Sequence, residues 1–395
     1  MRYVGVDIAS EQHWVGAVDS DGSVIVKPAP FTEDASGYDK LRSLLGVTAD
    51  TLVAMEATGH YWKNLFAWLV TQGFLVALIN PLRTRRFAEE DLTRAKTDAI
   101  DAVGIARFAA QKKPAATRLT DAATDELREL VRHRDRLVQA LGDAVRQLHR
   151  LVDLGFPEFT RFVKDLDGPL ATTLLARCPT ARAFAAEKPS RLAKLVYAGR
   201  NRVGDELATS LVETAKVSVG AHHGEAYRLQ VRHACEDIDT LRRRIRDVGG
   251  DIERQLDAHE VGKLLTTIDG IGPQTAARLV AELGNPADFR DPAALAAYVG
   301  VVPGTKQSGK SQGHRFGLAP VGHAALRAKL WMPTLTAVRN NPWLRAHYER
   351  WRAAGKLPKV ALVAAMHKLL AAVYSVAKNR RAFVPRLPAP TEATA

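Results

Sequence analysis

Four acids in the first part of the chain, Asp7, Glu56, Asp98 and Asp101, stand where a carboxylate has a chemical reason to be. Asp7 ends the run Tyr3-Val4-Gly5-Val6, whose β-branched and aromatic residues predict a strand buried on both faces. An unpaired carboxylate there costs several kcal/mol, and a bound cation removes that cost. Glu56 ends a second run of this kind, Leu52-Val53-Ala54-Met55. Asp98 and Asp101 lie in Lys96-Thr97-Asp98-Ala99-Ile100-Asp101-Ala102. Their spacing puts both on one face of a helix, with the apolar residues that dock the helix expected on the opposite face. Taken alone, the pair is also what an acidic first turn complementing the helix dipole looks like. Hard oxygen donors without nearby His or Cys point to Mg²⁺ or Mn²⁺ and away from zinc. Two such ions about 3.5–4 Å apart serve in-line phosphoryl displacement, so phosphodiester chemistry is expected.

The elements that must position these acids can be read in order. Tyr3–Ile8, Trp14–Asp19 and Ser23–Lys27 predict a three-strand meander, with Asp21-Gly22 at its second turn. A helix over 35–45, a strand over 51–55, a helix over 61–72 and a strand over 74–79 follow. Helical pattern returns from Arg83 and again over Ala95–Ala110. Three antiparallel strands followed by alternating helices and strands is the order of an RNase H-like fold, in which the first strand is central. Arg83, Arg85, Arg86, Arg94 and Lys96 fit a track for nucleic acid, and Tyr61 and Trp62 after Glu56 read either as core aromatics or as base-stacking platforms beside it.

Beyond residue 115 the chain reads as mostly helical. Tyr227, Val231, Ala234, Ile238, Leu241, Ile245, Val248 and Ile252 form a coiled-coil seam, and Leu127, Leu130, Leu137, Leu141, Val145 and Leu148 a similar stripe. These helices can pair with each other or with another subunit, around a Gly- and Pro-punctuated insert from Gly155 to Ser218. The stretch Leu264–Leu283 predicts a helix-hairpin-helix, in which Gly270 and Gly272 let backbone amides grip a phosphate without reading sequence. The expected domains are thus 1–115, α/β and RNase H/RuvC-like; 116–260, a coiled-coil arm with its insert; and 261–390, helical.

Charge separates these regions. Residues 301–390 hold seven Lys and nine Arg against the single acid Glu349, whereas residues 1–300 hold 40 basic and 41 acidic side chains. Such a block is the footprint of phosphate-backbone binding, with Lys306, Lys310, Arg315, Arg327 and Lys329 as its candidate contacts. Two cysteines, Cys178 and Cys235, are too few for a disulfide framework and read as core thiols of a cytoplasmic protein. No signal peptide is expected, since Arg2 leads directly into a strand. The apolar run Val360–Val376 contains His367 and Lys368 and reads as a buried or amphipathic helix, with no membrane span expected. Gly304 to Arg315 reads as a polar loop, in which Ser308 has room for a scissile phosphate among glycines and cations.

The segments Val4-Gly5-Val6-Asp7, Glu56-Ala57-Thr58-Gly59-His60-Tyr61 and Lys96–Ala102 resemble the DEDD domain of the insertion-sequence transposases that include the Piv-type DNA invertases, the IS one-ten group. Gly300-Val301-Val302-Pro303 followed by Ser308-Gly309 resembles the C-terminal transposase domain of that group. Val321 before Gly322 departs from it, since a basic residue is common there. The resemblance implies that Ser308 is a DNA nucleophile and that Asp7, Glu56, Asp98 and Asp101 hold Mg²⁺. It further implies a structured noncoding guide RNA that pairs with donor and target DNA, and a dimer or tetramer. A junction-resolving nuclease would use the same four acids with water as nucleophile. A nucleic-acid-binding scaffold would use the basic block and the helix-hairpin-helix, with no chemistry.

Overall fold

The computed structural model of the chain describes residues 1–90, 97–117, 121–308, 311–318 and 321–385. The chain forms two compact units, Met1–Leu119 and Thr120–Ala395.

The first unit is built on strands β1 (Arg2–Asp7), β2 (Gln12–Val18) and β3 (Val24–Thr32), helix α1 (Ala35–Leu45), β4 (Thr51–Glu56), α2 (Trp62–Thr71), β5 (Leu75–Ile79), α3 (Pro81–Glu90) and α4 (Asp98–Lys112). The sheet order is β3-β2-β1-β4-β5, so β1 is central, as the sequence predicts. It runs antiparallel to β2 and parallel to β4. β3 continues past the expected end at Lys27, through Pro28 and Pro30. It can do so because it is an edge strand, where a missing proline N–H leaves no ladder bond unmade.

Helices cover both faces of the sheet. Val4, Val6 and Val53 share one core with Leu41 of α1 and Leu65 and Leu69 of α2. Tyr3, Leu52 and Ala54, on the other face, pack with Val103, Ile105, Ala106 and Phe108 of α4. α4 approaches β1 backbone to backbone: a methyl built on Gly5 would overlap the Ala102 carbonyl and the Ala106 amide. A β-strand can lie this close to a helix only where it lacks a side chain, which is what Gly5 supplies.

In the second unit, α5 (Ala122–Gly155) and α10 (Glu225–Ala258) are 34 residues each, about 51 Å at 1.5 Å per residue. They pair with each other, antiparallel. Leu127 and Val131 share a core with Ile252 and Leu256, while Leu148 and Val152 share another with Val231 and Ile238. At the second of these ends the insert folds as α6 (Pro169–Arg177), α7 (Ala181–Ala185), α8 (Pro189–Leu192), the two-residue strands β6 (Val196–Tyr197) and β7 (Asn201–Arg202), and α9 (Asp205–Lys216). Phe156, Phe159 and Phe184 meet there, with ring centroids 5.3–6.0 Å apart. Cys178 and Cys235 are buried in this core as free thiols, and burial pushes both up to about 12.

At the other end lie α11 (Glu260–Leu265), α12 (Pro273–Leu283), α13 (Pro292–Val299), strands β8 (Pro303–Ser308) and β9 (Ser311–Leu318), α14 (Ala324–Lys329), α15 (Trp331–Asn340), α16 (Pro342–Ala353) and α17 (Pro358–Asn379). Among the described residues α17 is the one helix long and apolar enough to cross a membrane. Its Leu362, Met366, Leu369, Leu370 and Val373 are instead buried in the core of this unit.

The contact at Gly5 makes a testable demand. Gly5→Ala forces α4 off the sheet and should lower stability by about 1–3 kcal/mol, the usual cost of overpacking. Gly16→Ala, whose methyl would come nearest the Val103 side chain, at 3.1 Å, should cost less. Urea unfolding of the two variants gives the comparison; a Gly5→Ala midpoint equal to wild type contradicts the close docking of α4.

Candidate active site at the edge of the sheet

Asp7 and Glu56 are the last residues of β1 and β4, two parallel neighbours paired up to Val6 and Met55. Side chains alternate along a strand, so Asp7 shares the face of Gly5 and Glu56 that of Ala54, and both faces are the one covered by α4. The direction of α4 follows from its far end, where the Arg107 guanidinium donates to the carbonyl of Gly22, in the turn beyond the paired residues Tyr3 and Val18. Its first turn therefore lies at the end of β1 that carries Asp7. Asp98 and Asp101 occupy that turn, capped by Thr97, whose hydroxyl accepts from the Ile100 amide at 3.3 Å.

One expectation is corrected here. The acids do not sit opposite the docking residues of α4. Asp98 is four residues before Ala102, which presses on Gly5, so the acids continue the sheet-facing stripe. They stay accessible, Asp98 exposed and Asp101 half-buried, because they belong to the first turn of the helix, ahead of the apolar residues that contact the sheet.

Glu56 is held from α3. The Thr84 hydroxyl donates to Glu56 Oε1 at 2.5 Å, while Thr58 stands 3.5 Å from Oε2. The donor set, three aspartates and a glutamate on one face at one edge, fits a hard divalent cation by its chemistry. No three His, Cys, Asp or Glu side chains among the described residues are drawn together closely enough to hold an ion as they stand. Binding one requires the carboxylates to turn toward each other from these backbone positions.

The basic and aromatic candidates divide. Arg83, Arg85 and Arg86 are exposed on α3, with Arg85 in an i,i+4 pair with Glu89 at 3.0 Å and Arg83 lying over the Phe108 ring. Arg94 and Lys96 lie outside the described residues. Tyr61 is exposed and tilted against the His60 ring, with centroids 4.3 Å apart, whereas Trp62 packs edge-on against Phe66.

In the second unit, the polar loop expected around Ser308 is a hairpin instead, with Thr305 paired to Arg315, Lys306 to His314 and Ser308 to Ser311. Antiparallel pairing satisfies backbone groups that a loop would leave to water. Ser308 ends β8, at the turn end of the hairpin. Lys310 lies outside the described residues, and for Lys306, Ser308 and Arg315 the structure describes the backbone alone. Gly270, at φ +99°, is spent on packing, since a methyl there would overlap the backbone of Ala337. Gly272 is the N-cap of α12 and has open space around it. Arg327 Nη1 donates to the carbonyls of Val299 and Gly300, both at 3.2 Å, and Lys329 is 3.6 Å from Asp135.

Two family models match the chain. The IS110 DEDD transposase model, described as "Transposase", covers residues 4–157, and one described as "Transposase IS116/IS110/IS902 family" covers 262–349. The chain belongs to the IS110/IS116 family of DEDD transposases. Three curated relatives match over nearly their whole lengths. An IS110 protein of Streptomyces coelicolor is 26% identical over 100% of this chain and 98% of its own. The putative transposase of the IS117 mini-circle from that organism is 27% identical over 98% of each chain, and the pilin gene-inverting protein of Moraxella bovis 24% over 98% of each. The activity is that of a DNA transposase or recombinase, an enzyme acting on DNA. DEDD transposases generally depend on a divalent metal ion. All four acids fall within the first matched segment of this transposase, and Gly270, Gly272 and Ser308 within the second.

Three features of the transposase carry no signal that sequence reading could use. Thr84 looks like any helical threonine. His13, fully buried behind the sheet edge, accepts from the Ala9 amide at 3.2 Å through Nδ1 and meets Glu33 at 2.6 Å through Nε2. This bond fixes the turn that follows Asp7. At the base of the hairpin, Gly300 and Gly322, at φ +82° and +101°, cross backbone to backbone, with Arg327 capping the carbonyls beside them. Arg327→Met should therefore lower the stability of the second unit by about 1–3 kcal/mol, the cost of losing charged hydrogen bonds to buried carbonyls. Lys329→Met, removing an exposed ion pair, should cost under about 1 kcal/mol. Thermal unfolding of the two variants checks the order; equal midpoints contradict the cap.

Proposed function

We propose that this transposase cuts and rejoins DNA through a covalent phosphoserine link formed by Ser308, assisted by Mg²⁺ or Mn²⁺ on Asp7, Glu56, Asp98 and Asp101. The observation that carries the reading is the placement of two strand-end carboxylates, on adjacent parallel strands of a sheet ordered β3-β2-β1-β4-β5, on the face over which the acidic first turn of α4 lies. That order with a central first strand supports an RNase H/RuvC-like domain. When bound, the cation supplies charge stabilisation at the scissile phosphate. Ser308 Oγ loses its proton and forms a bond to phosphorus, while the bond from phosphorus to a deoxyribose oxygen breaks and that oxygen leaves as a hydroxyl. A hydroxyl of a second strand then attacks phosphorus, restoring a phosphodiester and returning the proton to Ser308. Hairpin strands hold the nucleophile on paired backbone, an advantage for positioning that a loop lacks.

Sequence choice in this reading belongs to a structured guide RNA, as the resemblance implies, so the protein reads duplex shape and backbone. Helices α11 and α12, with the turn between them, supply a helix-hairpin-helix contact at Gly272, and subunits of a dimer or tetramer share the work. Arg83, Arg85, Arg86, Arg94 and Lys96 in the first unit, and Lys306, Lys310 and Arg315 on the hairpin, contact phosphate. Arg327, already engaged with carbonyls, contributes structure more than contact.

Two measurements test this. Incubated with its DNA and divalent cation, wild type should yield a denaturant-resistant protein–DNA adduct, Ser308→Ala none, and Ser311→Ala nearly as much as wild type. Asp98→Asn should lower adduct yield by orders of magnitude while nucleic-acid binding persists. Free 5′-phosphate ends with no protein attached would instead show water as the nucleophile. In the second measurement, duplex affinity should fall with log salt by about 0.9 per phosphate contact. Neutralising Lys306, Lys310 and Arg315 together should reduce that slope by roughly 3 × 0.9; an unchanged slope moves the contact surface to the arginines of α3.

A further inference from the structure

Thr84 is the one buried residue of α3, 7% exposed, on a helix whose neighbouring Arg83, Arg85 and Arg86 all face solvent. Its hydroxyl has two acceptors in reach, Glu56 Oε1 at 2.5 Å and the Pro81 carbonyl at 3.0 Å. An O–H carries one proton, and a carboxylate is the stronger acceptor as well as the nearer one. The bond fixes one oxygen of Glu56. Among the described residues the other has only the distant Thr58 hydroxyl, at 3.5 Å, and is left available.

The seat of α3 gives this bond its meaning. The helix begins on Asn80, whose side chain accepts from the Leu82 amide at 2.9 Å. It is anchored on α4 by Phe87, edge-on to Phe108 with ring centroids 5.5 Å apart, and by Arg83 over that same ring at 5.3 Å. α4 is the helix whose first turn carries Asp98 and Asp101. One element thus touches Glu56 through Thr84 and the acidic helix through Phe87, and so sets where Glu56 stands relative to the other acids.

We propose that Thr84 is a positioning residue for the metal site: it orients the Glu56 carboxylate so that its free oxygen serves the divalent cation. This rests on the reading that Asp7, Glu56, Asp98 and Asp101 bind the ion. Ligating carboxylates are themselves held by hydrogen bonds, and loss of such a partner typically costs 10–100-fold in metal affinity. Thr84→Val keeps the buried shape and removes the hydroxyl, whereas Thr84→Ser keeps the hydroxyl and removes the methyl. A purely structural threonine would tolerate the first better than the second; a positioning one shows the reverse.

The experiment is a Mn²⁺ titration of the full chain without DNA, followed by electron paramagnetic resonance, on wild type, Thr84→Val, Thr84→Ala, Thr84→Ser and Asp98→Asn. Thr84→Val and Thr84→Ala should each bind Mn²⁺ 10–100-fold more weakly than wild type, and Thr84→Ser within about 3-fold of it. Strand cleavage by Thr84→Val should recover as Mn²⁺ is raised, moving the half-saturating concentration more than the maximal rate. The alanine variant carries the comparison if valine disturbs folding. If wild type binds Mn²⁺ and Asp98→Asn weakens it while Thr84→Val and Thr84→Ala bind as wild type does, the positioning role is overturned and the metal site stands. If wild type binds no Mn²⁺, or Asp98→Asn binds it unchanged, the four-acid reading fails and this role fails with it.

Discussion

The first unit depends on one close approach, the backbone of α4 lying against the bare Cα of Gly5. Ala102 and Ala106 of the helix match this small residue with small side chains, so the helix backbone reaches the strand where a side chain would otherwise stand. Asp7 follows Gly5 by two residues and points to the same side, while Asp98 and Asp101 precede Ala102 on the stripe that faces the strand. A larger residue at position 5 would lift the helix and carry its acidic turn away from the strand end. The chemistry proposed for the sheet edge is therefore a consequence of packing at its middle.

Other contacts refine what that packing provides. His13 ties the chain just after Asp7, its imidazole accepting from the Ala9 amide, and the Glu33 carboxylate that it meets also takes a bond from Asn64 of α2 at 3.2 Å. Tyr38 stands against the same Glu33, and burial together with that carboxylate pushes its phenol up. The turn after Asp7 is thus fastened through His13 and Glu33, and Glu56 itself is fastened from α3. Such restraint fixes the backbone positions from which the carboxylates turn to meet an ion.

In the second unit the excess positive charge is less free than a count suggests. Arg278 forms two 2.6 Å bonds to Asp135, and Lys329 approaches the same carboxylate. Burial alone would raise the carboxyl of Asp135, but these cations outweigh it and hold it below its ordinary value. Arg327 is committed to carbonyls at the hairpin base. The same type of residue therefore serves two ends within a few positions, and only its surroundings tell which.

Much was legible in the residues themselves. Alternation and β-branched runs marked the strands, Asp7 at the centre of the sheet and Glu56 at the end of a parallel neighbour, because the side-chain period of a strand is local and the apolar runs are strong. The long stripes of α5 and α10 were equally plain, although whether they pair with each other is a tertiary matter, since a heptad seam does not name its partner. Pattern misjudged β3, whose prolines end a central strand but not an edge one, and the face of α4, since nothing local says where a sheet stops beneath a helix. The Ser308 hairpin was hidden for a related reason: its polar sequence has no period of its own, and the crossing of Gly300 and Gly322, far apart in the chain, brings its ends together. The sequence by itself determined which residues could do chemistry and on which elements they ride. Tertiary structure alone decided that Thr84 holds Glu56, that Arg327 is a cap and that Gly270 is packing, because each depends on an atom supplied from elsewhere in the chain.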